Sequence, residues 1–566
     1  MDEHFDTVVV GSGFGGSVMA YRLAKARKKV CVLERGKAYR PGDFARSPYT
    51  MKTNFWDPSE GLQGLFNVWT FRGLGAIVSS GLGGGSLIYA NVLLRKDEKT
   101  FVKEDIHNGG WEYWPVNRRD LDPHYSEVER MMNAQKYPLD DEDERFSRAP
   151  KTRALQDAAT RLGLEWKLAP LAVTFRTADG KAAFGEPIHE EHRNLYGVTR
   201  YTCRLCGECD VGCNYGSKNT LDLNYLSEAK RHGAEIRTLC EVRSFAPRSS
   251  GGYTVRYVKH LPANEGRKTD TKKLPIQTLT CDRLVLSAGT LGSPYLLLRN
   301  RDAFPAISER LGTRFSGNGD LLTFAVKSMN GSKPPTARLL DPSYGPVITS
   351  YVRVPDALDG GEGREFYVED AGYPDFVNWM VQLADVPAGF QRVVDFAARW
   401  IKGWLRIVVD TDLGSEIAQL FGDCALSKGS LPLLGMGRDI PNGRMDLIHD
   451  GRLDVDWRID ASRAYFERVR RTMKDLSTQL DARFADDPIW YLSRVITVHP
   501  LGGCPMGRHP QEGVVDSHGQ VFHYPGLYVA DGSVMPGPVG ANPSLTIAAL
   551  ANRFADGITG EQTAAP

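Results

Sequence analysis

Three glycines near the amino terminus have the spacing of a phosphate-binding turn. Gly11, Gly13 and Gly16 form a G-x-G-x-x-G pattern directly after a short apolar run. The first glycine permits a tight turn, the second lets the backbone approach a pyrophosphate, and the third lets the following helix pack closely. Glu34 ends the next apolar run, where an acid can accept hydrogen bonds from an adenosine ribose. The pattern predicts a dinucleotide site, for either NAD or FAD.

A second glycine-rich segment favours one of these two cofactors. The sequence GLGGGS occupies residues 81–86 and continues as LIYA to Asn91. Its backbone forms a second surface that can lie against the flavin end of an extended dinucleotide, which favours FAD. We therefore expect Gly83, Gly84, Ser86 and Asn91 to contact the cofactor. The alternative interpretation is a flexible loop.

Four cysteines form the pattern C-x2-C-x2-C-x3-C, and they are Cys203, Cys206, Cys209 and Cys213. This is the spacing of bacterial ferredoxins, whose thiolates bind an iron–sulfur cluster. Asn214 stands where those proteins usually have proline, and no second cysteine run exists. The loop then supplies three ligands, either to a 3Fe-4S cluster or to a 4Fe-4S cluster completed by a distant residue. Zinc, or thiols that bind no metal, are the alternatives.

The first glycine pattern lies inside a predicted βαβ unit. Residues 5–10 read as a buried strand, residues 17–28 have helical spacing, and residues 30–33 read as a second strand. Further along, residues 233–289 read as strands, the last of which returns to the first sheet. Helical spacing recurs at 461–484 and at 543–554.

Composition and charge narrow the class of protein. The chain has 566 residues, of which 42% are hydrophobic and 25% charged, and its formal net charge is +1. This is the composition of a globular protein, and it provides no overall positive field for nucleic acid. No stretch of eighteen uncharged apolar residues predicts a transmembrane helix. The acidic start MDEHF lacks the features of a secretory signal, so we expect a cytoplasmic location.

Two carboxyl-terminal segments complete a pattern that is typical of one family. HPLGGC begins at residue 499, and the segment 526–556 contains ADGS and the turn GANPS before an apolar helix. In this order, after the two glycine clusters, they resemble the glucose–methanol–choline (GMC) family of FAD-dependent alcohol-oxidising enzymes, and most of all its cholesterol-oxidase branch.

The resemblance implies roles for particular residues. His499 would be the base that removes the hydroxyl proton, and Asn542 would hydrogen-bond the substrate oxygen. Asp531 would lie near the flavin ribityl chain, and the backbone of Val242 would meet the adenine. Some members attach FAD through a histidine in the segment from Gly81 to Asn91; this chain has none there, so we expect FAD to be non-covalent.

The resemblance also implies a fold. We predict an α/β protein in which a Rossmann-type FAD-binding domain is interleaved with an α+β substrate-binding domain, built on an antiparallel sheet with helices. The predicted FAD-binding domain comprises 1–100, 225–310 and 490–566. The predicted substrate-binding domain comprises 101–224, including the cysteine loop 203–213, and 311–489.

Several segments bear on the substrate. The cholesterol-oxidase branch usually adds a carboxylate base, for which Glu369 and Asp370 are candidates, with a surface pair as the alternative. One face of a predicted helix at 390–404 is apolar, as are the runs 373–380 and 431–436. These segments favour a bulky hydrophobic alcohol. The helix also fits peripheral membrane contact, or simple packing on the core.

Three functions follow from these expectations. The first is oxidation of a 3-hydroxysteroid to a ketosteroid by hydride transfer to flavin N5. The second is an FAD/iron–sulfur dehydrogenase that passes electrons from another apolar alcohol to a quinone or a protein acceptor. The third is a non-redox flavoprotein lyase of the same fold.

Overall fold

The computed structural model describes residues 3–563, apart from 48–49, 52, 102–113, 331, 333, 374–428 and 562. Its strands, in chain order, are β1 (Glu3–Val10), β2 (Val30–Leu33), β3 (Trp56–Asp57), β4 (Leu62–Gln63), β5 (Phe66–Thr70), β6 (Leu74–Ser79), β7 (Gln135–Lys136), β8 (Glu165–Leu168), β9 (Pro170–Leu171), β10 (Glu235–Arg237), β11 (Cys240–Pro247), β12 (Tyr253–Lys259), β13 (Ile276–Leu286), β14 (Leu321–Val326), β15 (Ser350–Val354), β16 (Phe366–Asp370), β17 (Leu431–Gly437), β18 (Arg444–Leu447), β19 (Leu453–Asp456), β20 (Arg483–Asp486), β21 (Val495–Thr497) and β22 (Leu527–Val529). Its α-helices are α1 (Phe14–Lys25), α2 (Arg118–Met131), α3 (Glu144–Ser147), α4 (Pro150–Arg161), α5 (Tyr225–Arg231), α6 (Gly289–Arg299), α7 (Arg463–Gln479) and α8 (Ser544–Thr559).

The first large sheet is built on the predicted βαβ unit. Its strand order is β10-β2-β1-β13-β12-β11, and β22 also pairs with β13. Strands β10, β2, β1, β13 and β22 run parallel, whereas β11 and β12 add an antiparallel edge. Val8 and Val9 in β1 and Val32 in β2 are fully buried, because helices cover a parallel sheet on both faces. The carboxyl ends of the parallel strands meet at one edge, where open α/β sheets bind their ligands.

The second large sheet is antiparallel, with the order β20-β14-β17-β16-β15-β8. Helix α7 packs on β14, and α4 packs on β8 and β15. One continuous apolar core joins this sheet to the first, because Val352 and Val368 belong to the same buried cluster as Val8. The predicted fold class, a Rossmann-type unit with an antiparallel sheet and helices, is confirmed. The domain boundaries stay predictions.

Two sequence expectations about helices differ from the structure. The first helix begins at Phe14 and ends at Lys25, earlier than the predicted 17–28. The helical spacing predicted over 461–484 holds only to Gln479. Asp481 then has a φ of +48°, and the chain reverses into β20, which pairs with β14. Tertiary strand pairing therefore overrides the local helical pattern there.

The apolar segments assigned to the substrate region are only partly described. The predicted amphipathic helix at 390–404 and residues 374–380 lie outside the described residues. Residues 431–436 form most of β17, in the middle of the antiparallel sheet. Among the described helices, none combines the length and the apolar character that crossing a bilayer requires.

Candidate active site

The first glycine turn connects β1 to α1, and at two of its positions no residue larger than glycine fits. Gly11 has a φ of +94°, and a methyl group on it would lie 2.3 Å from the carbonyl oxygen of Ser287. A methyl group on Gly16 would lie 2.1 Å from the carbonyl oxygen of Gly11. At Gly13 a methyl group would meet no atom within 4 Å. The turn therefore leaves open space at the glycine predicted to approach a pyrophosphate.

Glu34 and the second glycine segment meet at this turn. The Glu34 carboxylate accepts hydrogen bonds from the Ser12 hydroxyl at 2.6 Å, the Ser12 N–H at 3.1 Å and the Gly36 N–H at 2.8 Å. The same Ser12 hydroxyl accepts the Gly83 N–H at 3.0 Å. A methyl group on Gly84 would lie 2.6 Å from the Cα of Gly13. The two glycine segments therefore form one backbone-lined surface, which we call the glycine cradle (residues 11–16 and 81–86).

Other predicted cofactor residues lie around the cradle. Ser86 donates to the Gly83 carbonyl at 2.7 Å and accepts the Leu221 N–H at 3.1 Å. Asn91 is fully buried with a φ of +70°, and its side-chain amide lies beside the Cys209 thiol. Val242 is buried in β11, whose first residue, Cys240, donates its N–H to the carbonyl of Glu34 at 2.8 Å.

Asp531 has a structural environment that the sequence did not indicate. Its carboxylate accepts the Gly289 N–H at 2.9 Å and the Ser293 hydroxyl at 2.5 Å, at the start of α6. It also accepts the N–H and the hydroxyl of Ser533. Burial raises the pKa of Asp531, although these four hydrogen bonds favour its charged form. Asp531 therefore joins α6 to the 530–533 segment.

The 530–533 segment joins the glycine cradle to the loop that carries His499. A methyl group on Gly15 would lie 1.6 Å from the Ala530 carbonyl oxygen. On the other side, Gly502 donates its N–H to the Gly532 carbonyl at 3.0 Å, and Cys504 donates to the Ser533 carbonyl at 2.9 Å. Cys504 is fully buried, which raises its pKa far above the usual range, so it is a packing residue rather than a nucleophile.

The imidazole of His499 lies within hydrogen-bond distance of a carboxylate that sequence reasoning missed. Its Nδ1 lies 2.9 Å from Oδ1 of Asp320, and within the described residues the imidazole makes no other hydrogen bond. Oδ2 of Asp320 accepts the N–H groups of Val498 at 2.9 Å and His499 at 3.2 Å, and lies 3.0 Å from the Thr497 hydroxyl. The Asp320 side chain is 2% exposed and that of His499 is 15% exposed. The imidazole edge that bears Nε2 is therefore the one available to a ligand.

The loop that carries Asp320 also holds the backbone before Asn542. Asn318 donates its Nδ2 to the Ala541 carbonyl at 2.9 Å and accepts the Gly540 N–H at 3.0 Å. One five-residue loop, SGNGD at 316–320, thus positions both predicted catalytic residues. The sequence feature that could have indicated this loop is the alternation of Asn318 and Asp320 with glycine, directly before an apolar strand.

Glu369 and Asp370 are both fully buried, so the alternative of a surface pair is wrong. Adjacent residues of a strand point to opposite faces of the sheet. Asp370 accepts the N–H groups of Thr349 at 2.9 Å and Ser350 at 2.7 Å, and is a structural carboxylate. Glu369 accepts only the Asn542 Nδ2, at 3.4 Å, within the described residues.

Glu369 has the electrostatics of a protonated acid. Burial, with a smaller contribution from the charges of Asp370 and Asp320, raises its pKa to about 8, although the Asn542 hydrogen bond lowers it. His499, Asp320, Asn542 and Glu369 are therefore linked as one group, which we call the polar cluster. Its members come from the 498–504 loop, the 316–320 loop, the turn before α8, and β16.

The cysteine loop packs against the back of the glycine cradle. All four cysteines line one small cavity together with Lys218 and Gly345. The Lys218 ammonium donates to the carbonyls of Leu87 at 3.1 Å, Tyr89 at 2.7 Å and Cys209 at 2.6 Å. It therefore connects the cysteine loop to the residues that directly follow the glycine cradle. Among the described residues, no three metal-ligating side chains converge on a point that a single ion could occupy.

Asn214, which replaces the ferredoxin proline, has a structural explanation. Its Oδ1 accepts the N–H groups of Gly42 at 3.1 Å and Phe44 at 3.0 Å, and its Nδ2 donates to the Phe44 carbonyl at 3.1 Å. The end of the cysteine loop is thus tied to the segment after β2. A proline could provide neither the side-chain acceptor nor the donor.

The fold and the cradle define an FAD-binding oxidoreductase. The chain belongs to the GMC oxidoreductase family, whose N-terminal and C-terminal models match residues 5–301 and 444–551. It is an FAD-dependent alcohol oxidoreductase.

Curated relatives extend over almost the whole chain. A cholesterol oxidase of Mycobacterium tuberculosis is 29% identical over 98% of this chain and 91% of its own length. A cholesterol oxidase of Acinetobacter baumannii is 28% identical over 99% and 95%, respectively. A long-chain-alcohol oxidase of Arabidopsis thaliana is 23% identical over 96% of this chain and 66% of its own length. Relatives named for different alcohols therefore share this sequence pattern.

Solved structures share the fold. Pyridoxine 4-oxidase from Mesorbium loti has a TM-score of 0.57 at 17% identity, with 98% of this chain and 99% of that chain covered. A fungal aryl-alcohol oxidase has a TM-score of 0.56 at 14% identity, with 99% of both chains covered.

Proposed function

We propose that this protein oxidises the hydroxyl group of a bulky apolar alcohol of the sterol class, with His499 as the base and Asn542 orienting the substrate oxygen. The observation that carries the proposal is the SGNGD loop, which fixes the His499 imidazole through Asp320 and the backbone before Asn542 through Asn318. Two polar side chains held in this way can orient a hydroxyl group, and positioning contributes several kcal/mol to such reactions.

The reaction removes a hydride from the carbinol carbon and a proton from the hydroxyl oxygen. When bound, FAD supplies the hydride acceptor at N5. His499 accepts the hydroxyl proton at Nε2, because its Nδ1 is engaged with Asp320. An imidazole suits this role because its usual pKa of about 6.5 lies near the working pH. Asn542 exchanges its long hydrogen bond with Glu369 for one with the substrate oxygen.

Observations around the cradle support FAD binding. The open space at Gly13 fits a pyrophosphate, beside the unpaired N–H groups at the start of α1. The buried amide of Asn91 fits a polar group of the flavin end, because a buried amide needs hydrogen-bond partners for both its oxygen and its NH2 group. Gly83, Gly84 and Ser86 would hold the same end. Glu34 and Val242 would bind the adenosine, and Asp531 would lie beside the ribityl chain.

Glu369 supports a sterol among the apolar alcohols. In its ionised form, a buried carboxylate next to Asn542 can take a proton from one carbon beside the ketone and return the same proton to another ring carbon, which would convert the first ketone into a conjugated enone. The two cholesterol oxidases that match along nearly their whole length point the same way. We therefore expect a Δ5-3-hydroxysterol to give an enone, and E369Q to stop at the unconjugated ketone.

An anaerobic titration tests the function. Purified holoenzyme is mixed with a 3-hydroxysterol, and the visible flavin absorbance is followed. The matched control is the same sterol skeleton without the hydroxyl group. Long-chain primary alcohols and a sugar complete the panel. We expect the sterol alone to bleach the flavin rapidly. Faster bleaching by a long-chain alcohol would contradict the sterol class, and no bleaching by any alcohol would favour the lyase.

We infer, as a second candidate, an FAD/iron–sulfur dehydrogenase. The supporting observation is that all four thiols line one cavity. Leu205 donates its N–H to the Cys203 sulfur at 3.4 Å, as backbone groups do in cluster sites. The buried Lys218 ammonium would offset thiolate charge. The contact of Lys218 with Tyr89 connects this loop to the segment that follows the cradle, and the proposal requires that a cluster there exchange single electrons with the flavin.

Iron and acid-labile sulfide measured on anaerobically purified protein test this candidate. We expect about three or four of each per chain, lost in C209A and retained in C504A, a buried cysteine outside the loop. Stoichiometric absence of both from the unaltered protein would exclude the cluster and leave the oxidase. A cluster would favour turnover with a quinone or a protein acceptor over production of hydrogen peroxide.

A further inference from the structure

The two oxygens of the Asp320 carboxylate have different hydrogen-bond partners. Oδ2 faces the backbone N–H groups of Val498 and His499 together with the Thr497 hydroxyl. Oδ1 faces Nδ1 of His499 at 2.9 Å. A carboxylate can only accept hydrogen bonds, so the imidazole must place a proton on Nδ1 to satisfy this contact. In the neutral ring the lone pair is then on Nε2.

We propose that Asp320 is a positioning residue that fixes the tautomer of His499, so that Nε2 is the proton acceptor in alcohol oxidation. The proposal rests on the proposed function for its role in turnover. The tautomer itself is a property of the resting protein. Nothing else in the described part of the chain bonds to the ring, so the tautomer depends on this one carboxylate.

The hydrogen-bond partners of Asp320 predict how the substitution D320N changes the protonation of His499. In the variant the amide oxygen must take the Oδ2 position, because an NH2 group there would oppose two backbone N–H groups. The NH2 group is then directed at Nδ1 of His499 and donates to it. The imidazole must move its proton to Nε2, where it can no longer accept the substrate proton. An amide behind a catalytic histidine acts this way in serine proteases, with a loss in kcat of about 10⁴-fold.

Asp439, which follows β17 and contacts the 316–320 loop, provides a matched control. Its carboxylate accepts the Ser316 hydroxyl at 2.5 Å and the Gly317 N–H at 3.0 Å. It is fully buried, like Asp320. In D439N the amide oxygen can keep the Gly317 bond, and the Ser316 hydroxyl can reverse to accept from the new NH2 group. The variant therefore removes a buried charge beside Ser316 and leaves Asp320 and its contact with His499 unaltered.

Two measurements on the holoenzyme test the proposal. In the unaltered protein with ¹⁵N-labelled histidine, the His499 signals, assigned by their loss in H499Q, should show a protonated Nδ1 and a bare Nε2. In D320N we expect the reverse tautomer and a loss in kcat of about 10²- to 10⁴-fold, with KM changed less than threefold. D439N should keep the tautomer and kcat within about threefold.

Each result decides the proposal. A bare Nδ1 in the unaltered protein overturns it, even if D320N fails to fold. A folded D320N with unchanged kcat also overturns it, as does an equal loss in D439N, which would mean that the loop rather than the tautomer matters. If no alcohol bleaches the flavin, the proposed function fails, but the tautomer measurement still reports on Asp320.

Discussion

The glycine cradle and the polar cluster are two neighbouring regions built in opposite ways. The cradle is made of backbone and depends on side chains being absent, as at Gly11 and Gly16. The polar cluster is made of three buried side chains and the partly exposed His499, which depend on each other's charge and hydrogen bonding. The first should therefore fail when an atom is added, and the second when a charge or a proton is displaced.

The largest effect is expected in the cradle, from adding one methyl group at two positions. G11A should fail to fold, because the methyl group meets the Ser287 carbonyl at 2.3 Å and the positive φ adds about 1–3 kcal/mol of strain. G13A should fold, because its methyl group meets nothing, but should lose FAD if the pyrophosphate lies there. Thermal melting and FAD content after gel filtration measure both. Full FAD content in G13A would place the pyrophosphate elsewhere.

In the polar cluster, H499Q should lower kcat by about 10²- to 10⁴-fold, the range expected for loss of a general base. FAD content should not change, because His499 is not part of the cradle. The matched control is H124Q, since His124 is a second histidine held through Nδ1, which lies 2.9 Å from Nδ2 of Asn552. Steady-state kinetics with the alcohol from the anaerobic titration measure both variants. Equal losses in the two would indicate a general effect on folding.

A smaller effect concerns the pH dependence of stability. The pKa of Glu369 is raised from 4.5 to about 8, so between these values the folded protein holds a proton that the unfolded chain releases. Stability should therefore fall as the pH rises from about 5 to 8. E369Q lacks this proton, so its melting temperature should fall less over the same range. Melting curves at several pH values check this, and parallel curves for both proteins would contradict it.

The smallest effect is expected between the two regions, at Cys504. C504A removes a buried sulfur but no nucleophile, so it should cost about 1 kcal/mol and leave kcat within twofold. Chemical denaturation and turnover assays measure these quantities. A tenfold loss of activity with intact FAD would mean that the sulfur takes part in the reaction.

Local residue spacing predicted the cradle well. The strand before Gly11, the helix after Gly13 and the strand that ends before Glu34 are adjacent in the chain, so their geometry follows from short-range rules. The helix boundary near 480 was wrong because β14, more than 150 residues away, recruits residues 483–486 into a strand. Pairing between distant strands leaves little trace in a local pattern.

The sequence alone determined the dinucleotide turn, the family pattern, and His499 and Asn542 as candidates, because each depends on residues that are close in the chain. Only the tertiary structure decided which carboxylates contact these two side chains. Asp320 is 179 residues from His499, and Glu369 is 173 residues from Asn542. Glu369 and its neighbour Asp370 are chemically alike in the sequence. Adjacent side chains of a strand point to opposite faces of the sheet, so Glu369 contacts the Asn542 amide whereas Asp370 contacts backbone N–H groups.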